Sequence, residues 1–450
     1  MNDPHILGTE RIGKLLVQYS IPAIIGMTIT SLYNIIDSIF IGHGVGAMGI
    51  AGLAITFPLM NLVVAFCTVV SAGGSTISSI RLGQKDTDGA TEVLNHTLML
   101  CLVNAFLFGG ISFIFLDEIL RFFGASNETL PYARNFMQII LLGTPVTYTM
   151  IGLNNIMRAT GYPKKAMLTS MVTVVCNIIL APIFIFQKPG CKRTMLVFCR
   201  KWLTTHIMPI NCEMTVAVAA PRIPQSKWKM KKRIISSIFS IGMSPFLMNV
   251  TACVIVIIVN NSLQRYGGDM AIGAYGIMNR LLVLYVMIVL GLTMGMQPIV
   301  GYNFGAQKND RVKATLRLSI LTGVCITSTG FIICELFPHA VSAVFTSDGQ
   351  LIDMASRGVR IGIAMFPLVG AQIVIGNFFQ SIGKAKISIF LSLTRQLLYL
   401  LPGLIILPRY MGLDGIWTCM PVSDFFAFVT AVIALWIYVK KLKRLSPLQS

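Results

Sequence analysis

Long apolar runs separated by short polar segments dominate the chain. Most runs reach the roughly 20 residues that a helix needs to cross the hydrocarbon core of a bilayer. The predicted spans are residues 15–36, 49–78, 93–116, 131–158, 166–186, 234–263, 270–300, 315–337, 358–380, 386–407 and 412–439. The pattern breaks down between residues 187 and 222. Hydropathy alone therefore predicts five helices before this segment and six after it.

The two halves align at a constant offset of 222 residues. The matches fall at helix breakers and loop turns, as in the pairs Gly83 and Gly305, Asp88 and Asp310, Pro145 and Pro367, Asn155 and Asn377, Gly161 and Gly383, and Lys164 and Lys386. With six spans per half, both copies enter the membrane in the same direction, which is the parallel repeat of transporters with a central cavity. We predict an all-α polytopic membrane protein with 12 transmembrane helices in two six-helix bundles. The predicted lobes are residues 1–222 and 223–450.

Composition excludes most other classes of protein. Of the 450 residues, 55% are hydrophobic and only 12% are charged, with a mean hydropathy of +0.75. A soluble globular protein carries about 25% charged residues. Too few charges remain to cover a water-soluble enzyme of this size, a secreted disulfide scaffold or a disordered chain.

The formal net charge of +19 has an explanation other than nucleic acid. With both termini inside, twenty-three of the 36 Lys and Arg residues fall in cytoplasmic loops and six in outer loops. This asymmetry is the positive-inside pattern of membrane proteins. It predicts a multi-pass membrane protein with both termini cytoplasmic and no nucleic-acid partner, and we expect the membrane to be a bacterial cytoplasmic (inner) membrane.

The segment 187–222 should mirror the twelfth span but does not. Basic residues crowd its first half, and only residues 202–220 are apolar enough to insert. Two hypotheses remain open: a divergent, weak sixth span, or a stretch translated out of frame between two compensating insertions or deletions. We favour the frameshift, although the charges of the second half still require a sixth crossing. If this segment is aberrant, the protein is alternatively a variant with impaired transport.

The motifs resemble those of the multidrug and toxic compound extrusion (MATE) transporters. The resemblance rests on YNIIDSIFIGHGVGAMGIAGLAI at 33–55, NIMRATGYPKKAM at 155–167, GLTMGMQPIVGYNFGAQKNDRVK at 291–313 and GLDGIWTCMPVSD at 412–424. It implies a twelve-helix exporter of small amphipathic cationic drugs or dyes, exchanged for H⁺ or Na⁺ by alternating access. The partners expected are those substrates and membrane lipid, and a monomer is expected. A flippase for lipid-linked oligosaccharides is the alternative of related architecture.

Asp37 is the clearest candidate for coupling. It lies inside the first span, where a carboxylate costs about 2.5–3.5 kcal/mol to insert and defaults to a functional hypothesis. Tyr33 and Asn34 precede it by four and three residues, so all three lie within reach on one helical face. This cluster can hold a proton, Na⁺ or a cationic substrate. The structural alternative is that Asp37 only accepts hydrogen bonds from neighbouring helices and has no role in coupling.

The resemblance adds two residues and one departure. Pro22 occupies the place of a family proline that marks a helix bending with protonation, and Asn177 matches an asparagine of the same ion cluster. Many relatives carry an aspartate where this chain has Ala181. A single carboxylate suits a proton better than Na⁺, so H⁺ is favoured.

The remaining chemistry is sparse. Arg395 and Asp424 are predicted to form a structural ion pair between helices, with a transport role as the alternative. The sequence has no catalytic pair, no metal-ligand spacing and no Gly-rich phosphate loop with a lysine. We therefore expect no enzymatic activity, no metal, and no cofactor besides the coupling ion.

Overall fold

The computed structural model describes residues 4–45, 47–123, 125, 127, 130–172, 231–345 and 348–445. Within these ranges the side chains of residues 4–5, 29–55, 57, 132, 260, 269 and 441–445 are outside the description. The predicted irregular segment 187–222 and the lobe boundary at 222 also lie outside the described residues. Every regular element in the described ranges is a helix.

The amino-terminal half begins with a short 3₁₀ helix, Pro4–Gly8. The α-helices that follow are α1 (Ile12–Val45), α2 (Ala47–Gly83), α3 (Thr87–Ile114), α4 (Leu116–Phe122), α5 (Leu130–Leu142), α6 (Thr144–Ala159) and α7, which is helical over the described residues 163–172. Each predicted span of this half that the structure describes lies on one or two of these helices.

The carboxyl-terminal half repeats the order. Its helices are α8 (Lys232–Gly305), α9 (Asn309–Leu336), α10 (Pro338–Ala343), α11 (Gly349–Gly362), α12 (Phe366–Ser381), α13 (Ala385–Leu393), a π-helical stretch (Thr394–Leu400) and α14 (Leu401–Leu445). The helix α8 is broken at Gly268, where φ is 64° and ψ is −162°. The helix α14 is broken at Gly412, where φ is 57°.

These two glycines separate consecutive crossings. The apolar helical stretch Ala385–Lys440 has 56 residues. A straight helix of that length would measure about 84 Å, whereas the hydrocarbon core is about 30 Å thick. A reversal at Gly412 therefore divides it into the predicted eleventh and twelfth spans. Gly268 divides the seventh span from the eighth in the same way.

Two predicted single spans are bent pairs of helices. α5 and α6 meet at 55°, and α11 and α12 meet at 55° as well. Pro145 and Pro367 each lie in the first turn of the second helix of their pair. Proline is tolerated there and prevents the preceding helix from continuing. The predicted start of the tenth span at 358 is corrected accordingly, because its first helix begins at Gly349.

In the described residues, six helices are long and apolar enough to cross a membrane, or eight when each bent pair counts as one span. The other predicted crossings lie wholly or partly on residues that the structure does not describe, or are separated only by the break at Gly412.

The backbone confirms the internal repeat. α3 and α9, and α6 and α12, have bounds that differ by 222 residues at both ends. Lys85 and Gln307 both adopt positive φ, at 62° and 59°, as non-glycine residues. Since such a conformation is uncommon outside glycine, its recurrence at the same offset shows that both loops fold alike.

Three clusters of buried side chains hold the molecule together. One is centred on the amino-terminal lobe around Tyr148, which donates a hydrogen bond to the Val63 carbonyl, and it also takes in Ile234 and Ile238 of α8. A second lies in the carboxyl-terminal lobe around Trp417. The third, around Leu7, Tyr302 and Phe379, joins residues of both lobes at one end of the bundle. We call this end the closed end.

Candidate functional site: the seam between the lobes

The first helix carries the predicted coupling residues. α1 runs without interruption from Ile12 to Val45, so Tyr33, Asn34 and Asp37 lie on one face of a continuous helix. Their side chains are outside the description. Asn177 and Ala181 lie outside the described residues. The cluster thus stays a prediction, although its helical register is that expected.

Pro22 lies inside α1 and is buried. Because proline has no N–H, the Gln18 carbonyl lacks its helical partner. On either side of Pro22, α1 packs against glycines of α8: a Cβ on Gly291 would overlap the backbone of Ile24, and one on Gly295 would overlap Ser20. The weakest turn of α1 therefore lies where its backbone is in direct contact with the other lobe.

At the closed end, α2 and the second half of α8 meet through reciprocal glycine contacts, and we call this interface the seam. A Cβ on Gly83 would overlap the carbonyl oxygen of Tyr302, and one on Gly305 would overlap that of Ile80. These positions exchange under the offset of 222, so the contact is isologous, as at a two-fold interface. The pseudo-two-fold axis of the molecule therefore passes between α2 and the second half of α8.

One hydrogen-bonded group marks that axis. Gln297 Nε2 donates to Ser75 Oγ at 3.0 Å and to Thr76 Oγ1 at 2.7 Å. Ser75 is the repeat equivalent of Gln297, since the two lie 222 residues apart. Thr76 is fully buried and Ser75 nearly so. A polar contact therefore joins the lobes inside an otherwise tightly packed seam.

The segment of residues 4–10, which we call the strap, ties the amino terminus to the carboxyl-terminal lobe. Asn303 Nδ2 donates to the Leu7 carbonyl at 2.9 Å, and Lys308 Nζ donates to that of Gly8 at 2.8 Å. The Arg311 guanidinium donates to the carbonyls of Leu7 and Glu10. The Leu7 side chain is fully buried. The strap thus bridges both lobes at the closed end.

Glu10 adds a local cap to the strap. Lys14 Nζ donates to Glu10 Oε2 at 2.8 Å, and the Arg11 N–H donates to Glu10 Oε1 at 3.0 Å. These hydrogen bonds hold the pKa of the Glu10 carboxyl below its usual range. Because the carboxylate is exposed, it orients the start of α1 and contributes little to stability.

The predicted pair of Arg395 and Asp424 is formed. Arg395 Nε donates to Asp424 Oδ1 at 2.6 Å, between the π-helical stretch and α14. Asp424 is 3% exposed, whereas the Arg395 side chain is 34% exposed. One turn later, Tyr399 Oη and Thr430 Oγ1 lie 2.9 Å apart. Two polar contacts therefore join the eleventh and twelfth spans inside the membrane region.

Other polar groups join helices to one another. In the described part of the chain, no group of three or more His, Cys, Asp or Glu side chains is arranged to hold a metal ion. Ser388 Oγ donates to Ser244 Oγ, which lies 2.8 Å from Ser392 Oγ, and so joins the seventh and eleventh spans.

The seam contacts were not predicted from the sequence. Neither Gln297 nor Arg311 stands out by type, and the strap precedes the first apolar run. One feature of the sequence does point to these contacts: the offset of 222 residues makes Gly83 and Gly305 equivalent positions. The contact between equivalent positions requires the axis, which only the fold supplies.

Comparisons with known proteins agree with this architecture. The sequence model of the MatE family matches residues 22–183 and 241–405. The multidrug export protein MepA of Staphylococcus haemolyticus is 28% identical over 427 residues, covering 93% of this chain and 92% of that protein. MepA of Staphylococcus aureus is 24% identical over 443 residues, covering 94% and 93%.

Solved structures show the same fold. The MATE multidrug transporter DinF-BH, solved in complex with a dye, is 34% identical and superposes with a TM-score of 0.87 over 95% of this chain and 96% of its own. A MATE structure in the bent conformation superposes with a TM-score of 0.92 at 21% identity, covering 99% of each chain. The twelve-helix, two-lobed fold is thereby confirmed, and the chain belongs to the MATE family of multidrug efflux transporters, which are multi-pass membrane proteins.

Proposed function

We propose that the protein exports small amphipathic organic cations across a bacterial inner membrane in exchange for an inward-moving cation, by alternating access between its two lobes. The observation that carries the proposal is the pseudo-symmetric seam, which closes one end of the space between two equivalent bundles. A parallel repeat with a closed seam at one end is the architecture on which rocking of two lobes operates.

Orientation follows from the loops beside the seam. Arg81, Lys85, Lys308, Arg311 and Lys313 lie in or next to the two loops at the closed end. By the positive-inside rule this end is cytoplasmic. The described arrangement is then the outward-facing state, in which the cell interior is sealed off. A solved MATE transporter described as outward-facing superposes with a TM-score of 0.90.

Coupling is assigned to the cluster of Asp37, Tyr33 and Asn34, with Asn177 as a further partner. Pro22 lies 15 residues before Asp37, about 22 Å along a straight helix. Protonation of Asp37 would remove a charge from α1, and a bend at Pro22 would change how α1 packs on Gly291 and Gly295. Because Ala181 provides no second carboxylate, H⁺ rather than Na⁺ is the proposed coupling ion.

Amphipathic cations are proposed as substrates because of the relatives. The MepA proteins are named multidrug export proteins, and DinF-BH was solved with a bound dye. In this chain Asp37 supplies a negative charge in an apolar span, which suits a monovalent cation.

Efflux of a cationic dye from cells, with and without a proton or sodium ionophore, tests the function. We expect Asp37→Asn to abolish efflux at normal membrane expression, and a proton ionophore to abolish efflux by the unmodified protein. Asp310→Asn is the matched control, because that carboxylate is fully exposed. Unchanged efflux by Asp37→Asn would overturn the role of Asp37. No efflux by the unmodified protein at normal expression would instead support a transport-impaired variant.

A further inference from the structure

An apolar cavity of about 570 Å³ lies between α2, α3 and α4, away from the closed end. It is lined by residues 59–66 of α2, by residues 104–112 of α3, and by residues 118–123 in and after α4. We call it the side pocket. It lies on the amino-terminal lobe, near the membrane boundary opposite the seam. Its volume suits a drug-sized ligand.

Aromatic rings form the walls of the side pocket. Phe66 stacks on Phe108 with ring centroids 4.4 Å apart and an interplanar angle of 26°. Phe66 also contacts the edge of Phe246 in α8, at 5.0 Å and 73°. Phe122 and Phe123 lie at the outer rim, with Phe122 85% exposed. The inner wall is therefore fixed by packing against the other lobe, while the rim is open.

Among the described residues of this lining, Glu118 is the charged one. Its side chain is exposed, and within the described residues it forms no hydrogen bond or ion pair. Its neighbour Asp117 instead lies 3.3 Å from Arg134. Arg121, one turn further along α4, lies outside the lining. The side pocket thus combines aromatic faces with an exposed carboxylate.

We propose that the side pocket binds a lipophilic monovalent organic cation, with its aromatic groups against Phe66 and Phe108 and its charge facing Glu118 and the Phe122 ring. Aromatic faces attract cations, and the attraction grows where water is excluded. The Glu118 carboxylate adds a negative charge that attracts the cation.

The charge of Glu118 also argues against a phospholipid chain as the occupant. α4 begins two residues after the membrane-spanning helix α3 ends at Ile114. Glu118 therefore lies at the depth of the headgroups, where a phospholipid would bring its phosphate beside a carboxylate. Repulsion between the phosphate and the carboxylate disfavours a phospholipid at this position, whereas an organic cation is attracted to the carboxylate.

This site deepens the proposed function, because it rests on the proposed class of substrate but not on coupling through Asp37. It provides a second binding site for the organic cation, beside the membrane boundary on the outer side. Binding there is expected in the Asp37→Asn variant, which keeps a failure of this inference distinguishable from a failure of the proposed function.

Equilibrium binding of radiolabelled tetraphenylphosphonium to the purified full-length protein tests the proposal. In the Asp37→Asn background we expect saturable binding that Glu118→Gln weakens five- to tenfold. Asp353→Asn is the matched control, since it removes an exposed carboxylate from the other lobe. Neutral triphenylphosphine oxide should bind equally to the variants with and without Glu118. An isotherm unaltered by Glu118→Gln would overturn the proposal.

Thiol protection locates the bound cation. A cysteine at Ile111→Cys lines the side pocket, while one at Val17→Cys lies on the exposed face of α1. We expect tetraphenylphosphonium to slow modification of the first, above the background of the native cysteines, and to leave the second unchanged. Protection by added phospholipid but not by tetraphenylphosphonium would assign the side pocket to an acyl chain and overturn the inference. This readout holds even if Glu118→Gln fails to fold.

Discussion

Gln297 donates a hydrogen bond to Ser75, the residue that occupies its own position in the other half of the chain. A residue can touch its symmetry equivalent only near the symmetry axis, so this 3.0 Å contact places the pseudo-two-fold axis of the transporter. The glycine contacts of Gly83 and Gly305 lie beside it. Any rocking of the lobes that opens the closed end must separate these groups.

Tethering the seam should stop transport. We expect the double variant Ser75→Cys and Gln297→Cys, joined by a short bifunctional thiol reagent that reducing agent cleaves, to lose dye efflux and to regain it on reduction. The reason is that a covalent bond on the axis prevents the lobes from separating there. Efflux from cells before and after reduction measures this. The two single variants are controls, and a cross-linked double variant that still exports dye would contradict the prediction.

Adding one methyl group to the seam should destabilise it. Gly305→Ala places a Cβ against the Ile80 carbonyl, which is backbone and cannot rotate away. Overpacking of this kind costs about 1–3 kcal/mol. We expect a lower melting temperature in detergent and reduced efflux. Gly276→Ala is the control in the same helix, because nothing lies within 4 Å of its Cβ position and alanine favours a helix. Equal melting temperatures for both variants would contradict the prediction, because they would show that the two helices move apart enough to accommodate the methyl group.

Breaking the Arg395–Asp424 pair should cost more than removing it. Asp424→Asn leaves a guanidinium without its carboxylate, and breaking such a buried pair costs about 3–5 kcal/mol. Replacing both residues, as Arg395→Met with Asp424→Leu, is expected to restore stability. Thermal unfolding in detergent measures both effects. A double variant that is stable and exports dye supports a structural pair, whereas a stable but inactive one would assign the pair a role in transport.

The strap should contribute to closure. Leu7→Ala removes a fully buried side chain at the meeting of both lobes, and such truncations cost about 2–5 kcal/mol. We expect a lower melting temperature and faster modification by a thiol reagent of a cysteine introduced at Ser79, beside Gly301. Val17→Ala is the control, because Val17 is 57% exposed. If Leu7→Ala matched this control in both measurements, the strap would have no part in closure.

Restoring the missing hydrogen bond at Pro22 should slow transport. Pro22→Ala returns an N–H to α1 and removes the ring that weakens the helix. We expect α1 to become stiffer, so that dye efflux falls while the melting temperature stays the same or rises. Ala23→Ser serves as a control for a conservative change at the adjacent buried position. Efflux that Pro22→Ala leaves unchanged would show that a bend at Pro22 is not needed.

The sequence by itself determined the class of the protein, the position of most of its spans and its duplication. An apolar run long enough to cross a bilayer forms a helix, because only a helix lets a single span hydrogen-bond all its backbone groups in lipid. The offset of 222 is a property of the chain, and glycines and prolines at equivalent positions mark equivalent turns. The pairing of Arg395 with Asp424 was also predictable, since isolated charges in a span are costly. The bends within single spans were not predicted, because hydropathy continues across Pro145 and Pro367, although both prolines stand out in the sequence as helix breakers.

Only the tertiary structure decided which end of the molecule is closed and what closes it. Gln297, Gly305 and Leu7 are ordinary residues in the sequence, and their importance arises from backbones that approach closely across the pseudo-symmetry axis. The side pocket is likewise invisible in the sequence, since Phe66 and Glu118 lie more than fifty residues apart. The periodicity of a sequence indicates which residues share one face of a helix. It does not indicate which other helix that face contacts, because this depends on how the two bundles pack together. Burial and contact across the seam therefore had to be read from the fold.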